Sequence, residues 1–247
     1  MANVILYYGN LLETSTVSVS NENTSFPKYR LYDRDIGKLF KGSTNPTNYI
    51  ILIDQVANMH GVSGLIIPAG HNLNGRLCTL QYSTDAFAAD INTMVEWTQS
   101  GSGLIHKSFA NTEKRYWRLV ITGTDTLPEL AEFFLYTYWY TFVQNVAYEF
   151  QEKKHRNVSR RETGSGKLRT KKYGEARRYR NYKVNFFLAA QKTAFEDWET
   201  RCEGFKSIYV SDYNGDLIFM EILNEITFVP ASDSLWSTEL ELMEVLA

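Results

Sequence analysis

Apolar residues in the first half of the chain come in short bursts closed by turn-forming residues. Tyr49-Ile50-Ile51-Leu52-Ile53 is a compact, largely β-branched run that reads as a buried strand. Val62 to Ile67 is a second burst, ended by Pro68-Ala69-Gly70, and Leu77 to Tyr82 is a third. Tyr116 to Ile121 alternates and stops at Thr122-Gly123, and Leu130 to Thr141 adds an aromatic strand region. Strands at this short spacing, with no long helical period among them, predict a β-sandwich or jelly roll over residues 1–137.

The pattern changes after residue 138. Val143 to Phe150 reads as a strand leading into a polar, charged stretch, and Tyr182 to Leu188 alternates on the way out of it. Phe187, Ala190, Ala194, Phe195, Trp198 and Cys202 then fall on one face of a helix, with Gly204 placed to stop it. Ile208-Tyr209-Val210 and Leu217 to Met220 flank Asn214-Gly215, a strong hairpin signal, and Glu239 to Leu242 alternates as a last strand. The expected fold class is therefore mainly β. An N-terminal sandwich (1–137) is followed by a C-terminal β-barrel or sandwich (138–247) with one flanking helix and a long arm over residues 151–182. No Pro/Gly linker marks the boundary, so packed rather than tethered domains are expected.

Charge sharpens this picture. Between Gln151 and Lys183 lie 13 Lys and Arg against three acids, Glu152, Glu162 and Glu175, which leaves 13 basic and 25 acidic residues elsewhere in a chain of net charge −2. The cations of the arm are Lys153, Lys154, Arg156, Arg160, Arg161, Lys167, Arg169, Lys171, Lys172, Arg177, Arg178 and Arg180, with Lys183 at its exit. Its small residues Ser159, Gly164, Ser165, Gly166 and Gly174 and its few aliphatics predict an extended arm or long loop. Such a split points to an acidic surface or a nucleic acid as partner, the plain alternative being a solvated loop. The 44% apolar fraction is enough for real cores, and 14% aromatics favour strands and large packed contacts. Cys78 and Cys202 are far apart and read as buried thiols in a reducing compartment. Met1 to Leu6 has neither a basic region nor a long apolar core, so it is not expected to be a signal peptide, and no apolar run is long enough for a membrane helix.

Residue types that carry catalysis are not assembled. His60, His71, His106 and His155 show no metal-ligand spacing, and His60 and His71 beside turn glycines read as loop residues. Gly101-Ser102-Gly103 and Gly164-Ser165-Gly166 lack the strand and helix of a nucleophile elbow and the Lys of a phosphate loop. Asp33 and Asp35 are candidates for an acid–base pair or a Ca²⁺ loop, against the alternative of a polar turn held by Asx hydrogen bonds. No catalytic residue, metal or cofactor is expected, and no enzyme.

Five segments of the first half, taken in order, resemble the discoidin-like, galactose-binding-like jelly rolls. They are the opening Val17 to Asn23, Leu31-Tyr32-Asp33-Arg34-Asp35, Tyr49 to Asp54, Gln81-Tyr82-Ser83-Thr84-Asp85, and Arg115-Tyr116-Trp117-Arg118-Leu119-Val120. The chain departs from that family at Arg34, where many members have Gly, and at Leu39-Phe40, where a Trp is usual. The resemblance implies the fold, and a sugar or Ca²⁺ site at Asp33 and Asp35.

The whole layout, a jelly roll joined to a β domain with one helix and a charged arm, resembles tail proteins of long-tailed bacteriophages of the distal, minor or tube type. That resemblance implies a non-enzymatic virion component made in a host bacterial cytoplasm. Its arm would clasp the acidic body of the next copy in a ring, touch other tail proteins, and meet DNA only in transit through a lumen. The jelly roll would face outward toward a host glycan, with no membrane insertion. Two other classes stay open: a carbohydrate-binding module protein, and a nucleic-acid-binding protein acting through the arm, with Tyr173, Tyr179 and Tyr182 against the sugar-phosphate backbone.

Overall fold

The computed structural model describes residues 3–44, 47–56, 59–123, 126–142, 151–155, 158–162, 168–172, 175–186, 188–203, 206–232 and 235–246; at 151–152, 155, 159–162, 168–172 and 231–232 it describes the backbone alone. The chain is mainly β, with antiparallel sheets and one α-helix. It divides into two compact units, Tyr8–Tyr138 and Met1–Tyr7 with Trp139–Leu246, so the first residues of the chain belong with its second half.

The unit of Tyr8–Tyr138 is a β-sandwich. It takes the end of β1 (Ile5–Asn10), then β2 (Thr16–Val19), the short β3 (Phe40–Lys41), β4 (Asn48–Asp54), β5 (Gly61–Ile67) and β6 (Leu77–Ser83). β7 (Asn92–Thr98), β8 (Ile105–Glu113), β9 (Tyr116–Thr122), the short β10 (Glu129–Leu130) and most of β11 (Phe134–Thr141) complete it. One sheet runs β2–β4–β9–β6–β7 and the other β1–β11–β5–β8. In β4 and β9 the period is two: Tyr49, Ile51, Ile53, Trp117, Leu119 and Ile121 enter the core, while Ile50, Leu52, Arg118 and Val120 lie half-exposed on the outer face. The run Tyr49–Ile53, expected to be buried throughout, is thus buried on one face only. Val62 to Ile67 in β5 is buried on both faces. Gly64 is fixed there by its neighbours, because a Cβ would sit 2.0 Å from the Tyr136 hydroxyl and 2.5 Å from the Lys107 carbonyl.

The other unit holds β12 (Gln151–His155), β13 (Val158–Glu162), β14 (Leu168–Lys172) and β15 (Arg177–Phe186), then α1 (Ala189–Cys202). β16 (Ile208–Ser211), β17 (Leu217–Ile222), β18 (Val229–Ser232) and β19 (Leu235–Glu244) follow. Its sheet runs β12–β15–β19–β17–β16–β1, with β18 beside β19, and forms no closed barrel among the described residues, so of the two expected forms the sheet is the open one. β16 and β17 form the hairpin expected around Asn214-Gly215. Gly215 takes φ +85°, and Asp212 Oδ1 accepts the N–H groups of Asn214 (2.9 Å) and Asp216 (3.0 Å).

Helix α1 buries Phe195, Trp198 and Cys202, while Ala190 and Ala194 are exposed, so the apolar face is narrower than the spacing predicted. A single ring explains this. Phe195 meets Tyr140, Phe142, Phe186, Trp198 and Phe228 at centroid distances of 5.1 to 6.1 Å, and this aromatic cluster anchors the helix without the alanines. Glu203 ends the helix in the left-handed conformation (φ +54°), one residue before the expected Gly204, which lies outside the described residues. Val143 to Phe150 and Phe187 also lie outside them.

Candidate functional site

The Asp33–Asp35 loop is built as turns. Asp33 Oδ1 accepts the Asp35 N–H and Asp35 Oδ1 accepts the Gly37 N–H, both at 3.1 Å, and Lys38 Nζ lies 2.7 Å from Asp35 Oδ2. The hydrogen bond from Lys38 holds the Asp35 carboxyl below the usual range, whereas burial raises that of Asp33. No group of three or more His, Cys, Asp or Glu that could hold a metal is found among the described residues. Arg34, standing where the resembled family often has Gly, takes φ +59°, so the turn itself requires the left-handed region. Its N–H donates to Glu132 Oε2 (3.2 Å), its Nε pairs with Glu13 Oε1 (2.6 Å), and its guanidinium lies over the Tyr8 ring at 4.9 Å. Asn10 Nδ2 completes this network by donating to Glu132 Oε1 (3.1 Å). Glu132 is fully buried, and desolvation holds its carboxyl well above the ordinary glutamate range. His71 is likewise structural: one ring nitrogen meets the Gly103 carbonyl (2.8 Å) and the other accepts the Leu73 N–H (3.3 Å).

A different corner of the sandwich presents groups toward solvent. Between β6 and β7 the chain makes a tight loop around two carboxylates. Asp85 Oδ2 accepts the N–H groups of Ala89 (2.8 Å) and Asp90 (3.0 Å), Asp90 Oδ2 accepts from the Thr84 hydroxyl (2.7 Å), and Ser83 Oγ accepts the Phe87 N–H (2.9 Å). These bonds hold Ala86 (φ +60°) and Phe87 (φ +66°) in consecutive left-handed conformations, a cost of about 1–2 kcal/mol per residue. Strain of this kind persists where surrounding structure imposes it, and it concentrates at binding sites. Here it sets the half-buried Phe87 ring 4.1 Å from the Arg118 guanidinium on β9. Arg118 Nε donates to Gln81 Oε1 (2.7 Å) on β6, and among the described residues no carboxylate pairs with it. Burial lowers its pKa with no opposing charge. The corner thus offers a fixed planar donor, an amide and an aromatic surface, arranged as a site for a polar ligand carrying a carbon face. Gln81, Arg118 and the Ser83–Asp85 spacing were visible as sequence motifs, but nothing there showed that Phe87 would be turned onto Arg118.

The described residues of the basic arm pair as strands, so of the two expected forms it is the extended one. β12 pairs with β15 and β13 with β14, both antiparallel. Its cations divide into three sets. Arg177, Arg178 and Arg180 at the base pair within the chain: Arg177 with Glu221 (3.9 Å), Arg178 with Asp216 (3.4 Å) and Glu244 (3.3 Å), and Arg180 with Asp212 (3.4 Å). Arg180 and Asp212 are buried, so Arg180, read as part of the partner-binding arm, is a core residue. Lys153 and Lys154 are exposed on β12, with Lys153 Nζ 6.0 Å from the Tyr179 ring. Arg160, Arg161, Arg169, Lys171 and Lys172 hold backbone positions in β13 and β14, while Arg156 and Lys167 lie outside the described residues.

The fold thus defines a class, an antiparallel β-sandwich joined to a second, open-sheet unit. No protein-family model matches the chain, and no curated protein matches it. Among solved structures, chitosan-binding module 1 of a chitosanase/glucanase from Paenibacillus sp. IK-5 aligns with 52% of this chain and 99% of its own, at 20% identity and a TM-score of 0.46. CpGH89CBM32-5 from Clostridium perfringens, in complex with GalNAc-β-1,3-galactose, aligns with 51% and 99%, at 13% identity and 0.43. A Ruminococcus gnavus GH29 fucosidase in complex with fucose aligns with 52% of this chain and 26% of its own, at 17% identity and 0.44. These scores carry no argument about ligand or activity, and the sandwich rests on the strand pairings above. Nothing in the matches supports the tail-protein resemblance.

Proposed function

We propose that the protein is a non-enzymatic binding protein whose sandwich unit takes a carbohydrate at the Phe87–Arg118 corner. The observation that carries this reading is the Arg118 guanidinium, held without a counter-charge against Phe87 by a strained loop. A pyranose matches such a corner, since its ring C–H groups pack on an aromatic side chain while vicinal hydroxyls accept from a guanidinium. The five-segment resemblance to galactose-binding-like jelly rolls supports the same class of ligand.

Titration of the full chain against a glycan array, followed by calorimetry on the hits, tests this. Saturable binding that drops about tenfold or more in both Phe87→Ala and Arg118→Ala, as for anchor residues of a binding surface, is expected, with unchanged circular dichroism. No glycan bound by the wild type, or binding indifferent to both substitutions, would sink the proposal.

A further inference from the structure

We propose that the Phe87–Arg118 corner selects an acidic sugar, a pyranose bearing a carboxylate, over the neutral sugar of the same shape. This rests on the carbohydrate reading above and narrows it to one class of ligand. Register places Arg118 on the outer face of the sheet β2–β4–β9–β6–β7. Leu52 on β4 and Gln81 on β6 stand directly opposite it, and Tyr116 and Val120 are its neighbours on the same face of β9. All four are uncharged, and with Phe87 they are half-buried. A cation set among such side chains, part-way out of water, gains more from an ionic partner than one on an open surface does.

Carboxylates lie close by in the chain, but none is turned to Arg118. Asp54 is held by Arg115, whose Nε and Nη2 donate to its two oxygens at 2.8 and 3.3 Å. In the β6–β7 loop Asp85 accepts from the Ser83 hydroxyl and from the N–H groups of Ala88, Ala89 and Asp90. Asp90 accepts from the Thr84 N–H and hydroxyl and from the Asn92 amide. The acids of the loop thus shape its turn, and the guanidinium is left to a ligand.

The hydrogen-bonding groups left over are of one kind. Arg118 Nε donates to Gln81 Oε1 (2.7 Å), so Gln81 turns its carbonyl oxygen to the guanidinium and its NH₂ away. Among the described residues neither Nη of Arg118 nor Nε2 of Gln81 has a hydrogen-bond partner, and all three are donors. A carboxylate only accepts, and its two oxygens match the parallel N–H groups of the Nη1–Nη2 edge. A hydroxyl in the same place brings a proton that neither a guanidinium nor an NH₂ can accept. Phe87, 4.1 Å from the guanidinium, then meets the carbon face of the ring.

Isothermal titration of the full chain with matched methyl glycosides tests this: galactose against galacturonic acid, glucose against glucuronic acid, and galactose 6-sulfate. At low salt a uronate should bind about tenfold or more tighter than its neutral parent, because its hydrogen bonds are charge-assisted on both sides. The ratio should shrink at about 1 M salt, where the Debye length falls to about 3 Å. Arg118→Gln should bring it close to one, and Arg118→Lys, which keeps the charge without the fork, should retain part of it. The wild-type comparison is decisive even where a variant fails to fold. A neutral sugar bound as tightly as its uronate overturns the inference and leaves the carbohydrate reading standing. So does a preference for the sulfate ester over both uronates, or a ratio unchanged in Arg118→Gln. Binding of no sugar, neutral or acidic, ends both.

Discussion

At the scale of single residues, the structure uses its buried polar groups as fixed joints. Glu132 accepts from Asn10 and from the Arg34 backbone, and desolvation keeps its proton more firmly in the folded chain than in the unfolded one. The sign follows from linkage: where the folded state binds more protons, stability falls as pH rises. Denaturant unfolding should therefore show stability declining as pH climbs from the ordinary glutamate range through the raised value of Glu132. Glu132→Gln, which keeps the hydrogen-bonding shape without a titrating proton, should lose that slope, and identical pH profiles for the two proteins would refute the assignment. Arg34 shows how far such joints are legible. The Asp-x-Asp spacing announced a turn, and the departure from Gly was visible, but the reach of the Arg34 side chain to Glu13 depends on a contact 21 residues away.

At the scale of elements, Arg180 ties β15 to the β16–β17 hairpin. Its partner Asp212 also holds the turn through the N–H groups of Asn214 and Asp216. Removing one member of a buried ion pair strands the other charge, so Arg180→Ala should cost about 3–5 kcal/mol, whereas replacing both by apolar residues of similar volume should cost much less. A thermal-denaturation double-mutant cycle measures this, and a loss below about 1 kcal/mol for Arg180→Ala would show that water reaches the pair. In the β6–β7 loop Ala86 holds a left-handed backbone at a cost, so Ala86→Gly should raise stability by up to about 1 kcal/mol, read by thermal denaturation. From sequence, Arg180 was one of a dozen like cations, and only the register of β15 against β19 separates it from Lys153 and Lys154.

At the scale of the whole molecule, each unit carries one buried cysteine outside any disulfide, Cys78 in the sandwich and Cys202 at the end of α1. Burial pushes the Cys78 thiol up to about 12, so it is neither exposed nor ionised in the native state. Both cysteines should resist a thiol reagent in buffer. Along a denaturant series they should label at separate midpoints, because the aromatic cluster around Phe195 is distinct from the sandwich core around Trp117. Mass spectrometry of labelled peptides reads this directly, and coincident midpoints would show one cooperative unit. Among the described residues no helix is long and apolar enough to cross a membrane.

What the sequence alone determined is the part fixed by local chemistry. Short apolar runs closed by turn residues gave strands of the sandwich, Asn214-Gly215 gave the hairpin, and a helical period gave α1. The concentration of cations in one segment is also plain in the sequence. Tertiary structure decided which apolar residues are shared between faces, which arginine of the arm is buried, and that a strained loop turns Phe87 onto Arg118. The physical reason is range. Periodicity and turn propensity act over a few neighbours, whereas burial and charge pairing depend on strands brought together from distant parts of the chain.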